Sequence, residues 1–375
     1  MGKEEFTYWM ALAHLEKVHK RRKNEIVVAC FQRNKTIVDF FEATEQEWIG
    51  EYNLSNEEIS CFAKVRTKLA NYSFQAEDLS EQGYYLIPIT SKDYPRQLKT
   101  NLKYDAPVLL YVKGNIMLLN QESTAIVGSR NANPASLAFT DEMAKLAVDN
   151  KRVVVSGYAK GVDKQALSSA LKYGGSSIIV LPQGITTFSS GFKSLHREIV
   201  SGSLLVMSIF RPDAPWNVSL AMARNPIIYA MADSIYVAES GDKGGTYAGA
   251  VNGLKRGRTI YVRYPEDGEQ NANMQLFEEG AVLVDSAGHI CKDMKRKRDI
   301  LAEKIRKALL DNQFSAKQLA SRFLNTDDTK SQTIVRSIIE TLDNVEVISA
   351  KSPVKYTIRA SYQPEFQFDQ STNEK

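Results

Sequence analysis

Residues Thr124 to Asp163 read TAIVGSRNANPASLAFTDEMAKLAVDNKRVVVSGYAKGVD. Two apolar runs, Ala125 to Val127 and Val153 to Val155, each end in a glycine turn beside a cation, and the residues between them are spaced as in a helix. Asn133 supplies a helix cap and Pro134 a backbone angle preset for the first helical position, after which Leu137, Met143, Leu146 and Ala147 recur at helical intervals. The stretch therefore predicts a βαβ unit. Both strands are unbroken and β-branched, as strands covered on both faces of a parallel sheet tend to be. Each turn then lies at the carboxyl end of a strand and the start of a helix, where backbone N–H groups and the helix dipole favour an anion. With Arg130 and Lys160 beside the turns, the expected ligand bears phosphate.

Working outward, further strands are expected at Ser177 to Leu181, Leu204 to Met207, Ser234 to Val237, Thr259 to Val262 and Ala281 to Val284, with helix-length segments between them. Tyr84 to Ile89 and Ala106 to Gly114 read as two more strands ahead of the unit. Repeated strand–helix–strand order implies an α/β, Rossmann-like, mainly parallel sheet with helices on both faces. The first turn lacks G-x-G-x-x-G, and no acidic residue is placed for a ribose after the second strand, which disfavours an NAD dehydrogenase.

The flanks differ in character. Residues 1–82 carry helical apolar spacing at Phe6 to Leu15, Glu25 to Phe31, Ile37 to Phe41 and Glu57 to Leu69, and are expected to form a helical module, SAM-like or helix-hairpin-helix-like, with Trp9, Phe40 and Trp48 in its core. The basic run His19 to Lys23 reads as a solvated connection, with nucleic-acid contact as the other reading. The α/β core is assigned to 83–290. Between 295 and 360, three helix patterns and a two-stranded ribbon around Lys351-Ser352-Pro353 predict a winged-helix-like domain, whose third helix offers Lys330 and Arg336 as cations. The polar tail 361–375 is expected to be disordered.

With 375 residues, 43% hydrophobic and 25% charged, the composition is that of a multidomain globular protein, and the net charge of +4 permits a local basic patch without arguing for one. No apolar run spans a bilayer, and the start MGKEEFTYWM lacks a signal-peptide core, so the expectation is a cytoplasmic chain that does not engage membrane. Cys30, Cys61 and Cys291 are too scattered for a disulfide framework or zinc site and are expected as reduced, buried thiols. The four histidines are dispersed. No metal centre, nucleophile and base pair or cofactor is expected.

The motif order Tyr94-Pro95-x-x-Leu98, Pro107-x-x-Leu110-Tyr111-x-Lys113-Gly114, Ile126-Val127-Gly128-Ser129-Arg130, Ser156-Gly157-x-Ala159-x-Gly161-x-Asp163, Gly174-Gly175, Arg224-Asn225 and Ser240-Gly241 ahead of Gly244-Gly245-Thr246 resembles the DNA-processing protein A (DprA/Smf) family. The resemblance implies a non-enzymatic protein that binds single-stranded DNA without sequence preference, protects incoming DNA and helps load a RecA-type recombinase in natural transformation or recombination. It also implies a homodimer through the Rossmann-like core. Carried over motif by motif, the DNA- or phosphate-facing residues are Gly128, Ser129 and Arg130, then Ser156, Gly157 and Lys160, then Lys193, then Arg224 and Asn225, with Lys243, Gly244, Gly245 and Thr246 in the last turn. Phe188, Phe192 and Tyr158 are placed to stack on bases or to sit in the core. The family's usual Ala-His after the second turn is Ala166-Leu167 here, and its Arg-Asn-Arg is Arg224-Asn225-Pro226, which marks a divergent member.

The turn Glu239 to Thr246 supports a second reading. It resembles the G-G-T turn of the superfamily that includes the lysine-decarboxylase-like phosphoribohydrolases, which implies binding of a nucleotide or nucleotide-derived signal, in defence among other settings. The carboxylate of that superfamily's motif is replaced by Tyr247-Ala248-Gly249-Ala250, so hydrolysis is not expected.

Overall fold

A computed structural model describes residues 4–266, 268–349 and 353–358. The tail 361–375, the ribbon-turn residues Lys351 and Ser352, and the Lys330 side chain lie outside the described residues. The chain divides into two compact units, one of residues 1–276 with 281–289 and one of 277–280 with 290–375.

The first unit opens with six helices, α1 Glu5–Ala13, α2 Lys20–Gln32, α3 Ile37–Glu42, α4 Glu45–Gly50, α5 Asn56–Arg66 and α6 Leu69–Glu81. Thr36, Thr44 and Ser55 each close a capping box, with Asp39, Glu47 and Glu58 reaching back to the cap N–H. Trp9, Phe40, Trp48 and Phe62 are almost fully buried, and the Trp48 indole N–H donates to the Phe40 carbonyl at 2.8 Å. The apolar cluster they form runs on without a break into Tyr111 and Leu204 of the sheet. Of the thiols, Cys30 alone is buried, Cys61 and Cys291 are half-buried, and none of the three is in a disulfide.

The basic run is not a connection. His19 caps α2, and Lys20 onward form its first turns. Lys23 is buried, donates Nζ to the Ala13 carbonyl at 2.7 Å, and is pulled down to about 8 by burial. Arg22 pairs with Glu58 at 2.9 Å. These cations fasten the helices to one another.

Nine strands then make one sheet: β1 Tyr85–Pro88, β2 Leu109–Gly114, β3 Ser123–Val127, β4 Val153–Ser156, β5 Ser177–Val180, β6 Leu204–Ser208, β7 Ser234–Val237, β8 Ile260–Arg263 and β9 Val282–Val284. Their order is β1-β2-β6-β5-β4-β3-β7-β8-β9, with β2 antiparallel to both of its neighbours, β1 and β6, and the remaining neighbours parallel. Helices α7 Arg96–Leu102, α8 Pro134–Asp149, α9 Val162–Lys172, α10 Ser189–Ser194, α11 His196–Val200, α12 Val218–Met231, α13 Gly245–Lys255 and α14 Asn273–Glu278 follow in chain order. The α/β, mainly parallel fold read from the sequence is the fold observed. Register is parallel through the centre, with Ala125 opposite Val155 on one side and Ile235 on the other. The buried stripe of α8 is Phe139, Met143, Ala144 and Ala147, whereas Leu146, expected inside, is exposed. The helix is turned because Ser136 and Thr140 also face inward and are hydrogen-bonded there.

Strand order reverses at β3, whose neighbours are β4 and β7. In an open α/β sheet such a switch point leaves a crevice at the carboxyl edge, which here receives the turns after β3, β4 and β7.

The second unit has α15 Lys292–Asp311, β10 Phe314–Ser315, α16 Ala316–Leu324, α17 Thr329–Ile339, β11 Val345–Ser349 and β12 Lys355–Ile358, with sheet order β10-β12-β11. Ser315 closes a capping box with Gln318, and Ile305, Leu309, Leu319, Val335 and Ile338 are its core. Three helices and a β ribbon match the winged-helix-like pattern.

Candidate functional site

Three clefts adjoin along the carboxyl edge of the sheet, and Arg130 lines all of them. The first, about 430 Å³, lies between the turns after β3 and β7, with Lys243 to Thr246 and Asn225 on its walls. The second, about 250 Å³, lies over the turn after β4, with Lys160, Tyr158 and Phe188. The third, about 640 Å³, carries Lys160 and Lys164. Arg130, Lys160, Lys164 and Lys243 are exposed.

Close backbone approach shapes this edge. A Cβ at Gly128 would meet the Val162 side chain and the Glu239 carbonyl, and Gly161, at φ +82°, leaves no room for one beside the Ser129 and Arg130 carbonyls. The Ser129 N–H donates to the Glu239 carbonyl at 2.9 Å, the Val162 N–H to the Ser129 carbonyl at 3.2 Å and the Thr246 hydroxyl to the Gly128 carbonyl at 3.1 Å. The three turns are thus bonded into one surface.

Two of the expected anion positions are filled by the protein's own carboxylates. At the start of α8, Glu239 accepts from the Asn133 N–H at 3.0 Å and the Ser136 hydroxyl at 2.8 Å, while Asn133 caps the Ser136 N–H at 2.7 Å. Arg263 holds the same Ser136 hydroxyl at 2.9 Å and Glu269 at 3.0 Å, so the α8 N-terminus is clamped to the ends of β7 and β8. At the second turn, buried Asp163 accepts the Gly157 and Ala159 N–H groups. Burial pushes its carboxyl up, against the pull of Arg224 and those N–H groups. The N–H groups of these two turns are therefore engaged within the protein. Helix α13 instead opens on Gly244, at φ +98° with open space around it and no side-chain cap, beside Lys243. Glu239→Ala is expected to cost about 1–2 kcal/mol of stability, the range for losing a helix cap, read as a lowered melting temperature.

Arg224 is only 4% exposed. Its Nη1 donates to the Val180 carbonyl at 2.6 Å, its Nε has no partner among the described residues, and its guanidinium fills the space a Cβ at Gly157 would take. Burial draws its pKa down while Asp163 opposes the shift. Ser156 is buried as well, its hydroxyl donating to the Ile126 carbonyl at 2.8 Å. Ser156, Gly157 and Arg224 thus form the floor under the clefts, and Arg130, Lys160 and Lys243 the surface. Asn225 stands against Gly245 in the first cleft. Lys193 is exposed on α10 and lines none of the three clefts.

Phe188 is buried, Phe192 packs on Phe188 and on Tyr84, and half-buried Tyr158 meets the Phe188 ring edge-on. Trp216, which no sequence motif singled out, is 47% exposed and lines both the first and second clefts. A tryptophan in the polar segment Pro215-Trp216-Asn217 just before a helix cap was the available signal. Among the described residues no cluster of three or more His, Cys, Asp or Glu is placed to hold a metal ion, and no helix is long and apolar enough to cross a membrane.

Residues 85–295, the sheet and the turns just described, match the family model of DNA recombination-mediator protein A. The chain belongs to this family. It is similar to the DNA processing protein DprA of Streptococcus pneumoniae, 32% identical over 203 residues, 53% of this chain and 68% of that protein. It is also similar to DprA of Bacillus subtilis, 27% identical over 247 residues, 64% of this chain and 79% of that protein. A solved structure of DprA from S. pneumoniae superposes with a TM-score of 0.60 at 25% identity, covering 76% of this chain and 96% of that one. Among DprA/Smf proteins this chain is a divergent member.

Proposed function

We propose that this DprA/Smf chain binds single-stranded DNA without sequence preference along the carboxyl edge of its sheet, protects it, and passes it to a RecA-type recombinase in transformation or recombination. The observation that carries the reading is the run of three adjoining clefts with Arg130 in all of them and Lys160, Lys164 and Lys243 exposed along their length. Cations spaced over several nucleotides hold phosphates regardless of base. The protein acts as a binding accessory rather than an enzyme. The acid lining the first cleft, Asp163, is buried against turn N–H groups, and Tyr247-Ala248-Gly249-Ala250 stands where a hydrolase of the related superfamily carries its carboxylate. Homodimerisation through the α/β core and a separate helical domain at residues 1–82, both on family resemblance, and a cytoplasmic location complete the proposal.

Anisotropy of labelled oligonucleotides tests it. Single strands of different sequence are expected to bind with similar affinity and more tightly than duplex, whereas no binding, or saturable binding of nucleoside monophosphates with base release, would overturn it. Lys193→Ala, outside the clefts, is expected to shift that affinity by less than about threefold, the scale of one peripheral phosphate contact.

A further inference from the structure

Trp216 has a surround that the phosphate reading does not use. The other two tryptophans, Trp9 and Trp48, are 2% and 0% exposed in the helical core, whereas Trp216 leaves about half its surface open. It stands on the segment between β6 and α12, and that segment is pinned. The Gly184 N–H donates to the Ala214 carbonyl at 2.8 Å, the Thr186 hydroxyl to the Pro212 carbonyl at 2.6 Å, and Asn217, the next residue, caps α12 through the Leu220 N–H at 2.8 Å. A large apolar ring held in the open by an anchored segment costs solvation without gaining core contacts. Its position is the wall shared by the first two clefts.

The second cleft is also lined by Tyr158 and Phe188, edge to face at 5.3 Å. Tyr158 adopts φ +60°, a left-handed conformation rare for a bulky residue and typical of sites that fix a side chain for use. Arg130, the residue common to the clefts, has its guanidinium 5.9 Å from the Trp216 ring centroid. Cations for the backbone and an aromatic wall for a base therefore meet in one pocket of about 250 Å³.

We propose that this pocket takes a nucleobase, stacked on the Trp216 indole and bordered by Tyr158 and Phe188, from the strand whose phosphates lie on Arg130 and Lys160. The inference rests on the single-stranded DNA reading and adds a contact that a phosphate track alone does not need. Stacking on an indole accepts any base, so the contact strengthens binding without adding sequence preference.

Because Trp216 is the exposed one of three tryptophans, intrinsic emission reports on this pocket directly. The full chain is titrated with unlabelled oligothymidylate while tryptophan emission is read, in parallel with anisotropy of a labelled copy and with an abasic oligomer of equal length. Emission is expected to quench with the same midpoint as the anisotropy for oligothymidylate and to stay unchanged with the abasic strand. Trp216→Ala should weaken oligothymidylate binding by about tenfold, within the range of one lost base–aromatic stack, and leave the abasic affinity unaltered. Trp216→Phe should keep binding within about threefold of the parent while losing the quench. Anisotropy that saturates with no change in emission, or Trp216→Ala binding oligothymidylate as the parent does, would overturn the stacking site while leaving the DNA reading intact. No anisotropy change with any strand would overturn both.

Discussion

Replacing Arg224 with leucine is expected to lower the unfolding free energy at neutral pH by about 3–5 kcal/mol, the range for leaving a buried charge uncompensated. Arg224 and Asp163 are both buried, and each moderates the cost of the other's charge. Leucine removes the cation, the bond to the Val180 carbonyl and the packing over Gly157, while Asp163 stays in place. The loss should depend on pH. Asp163 already holds its proton more firmly in the folded chain than a free carboxyl does, because burial outweighs its partners. Between the ordinary carboxylate value and the raised one, the folded state therefore binds more protons than the unfolded state, and stability falls as pH rises through that window. Without Arg224 the upper edge of the window moves up. The variant should regain stability on acidification into the carboxylate range, and adding Asp163→Asn should restore part of it at neutral pH. Denaturant melts that show a small, pH-independent loss would remove Arg224 from this structural role.

Arg130→Ala is expected to weaken single-stranded DNA binding by about 1–3 kcal/mol across all sequences, the scale of a charge-assisted phosphate contact, with the melting temperature unchanged. Arg130 is exposed and belongs to no ion pair among the described residues, so truncating its side chain leaves the fold intact. Arg130→Lys should recover part of the loss, since a lysine keeps the charge but not the two-pronged donor geometry. Equal affinity for Arg130→Ala and the parent would shift the phosphate track to Lys160, Lys164 and Lys243.

The strands and their turns were legible because buried parallel strands leave an unmistakable local record, a few β-branched residues closed by glycine, as at Ile126 to Ser129 and Val153 to Gly157. Helices α4 and α6 were not foreseen. Glu45–Gly50 is only six residues long and is fixed by the Thr44 capping box, and Leu69–Glu81 buries little beyond Ala76 and Leu79, so neither carries a full apolar stripe. The site was legible as a set of turns but not as a division of labour. Glu239 reaches the start of α8 from 106 residues away, and Arg224 meets the Val180 carbonyl from 44 residues away. Such closures depend on strand order, which no local pattern states. A sequence shows that a cation stands near a turn, and only the fold shows whether it is the floor or the surface. Trp216 escaped for the complementary reason, since exposure of a single aromatic leaves no periodic signal.

The central claim, that the clefts around Arg130 hold a single strand by its phosphates, is tested most directly by affinity measured over a series of salt concentrations. With three or four cations engaged, a plot of log affinity against log salt for the parent protein should be linear with a slope of about −2 to −3, the same for oligothymidylate and for mixed sequence, and flatter by about one unit in Arg130→Ala. A slope near zero, or slopes that differ with sequence and ignore the Arg130 substitution, would contradict it.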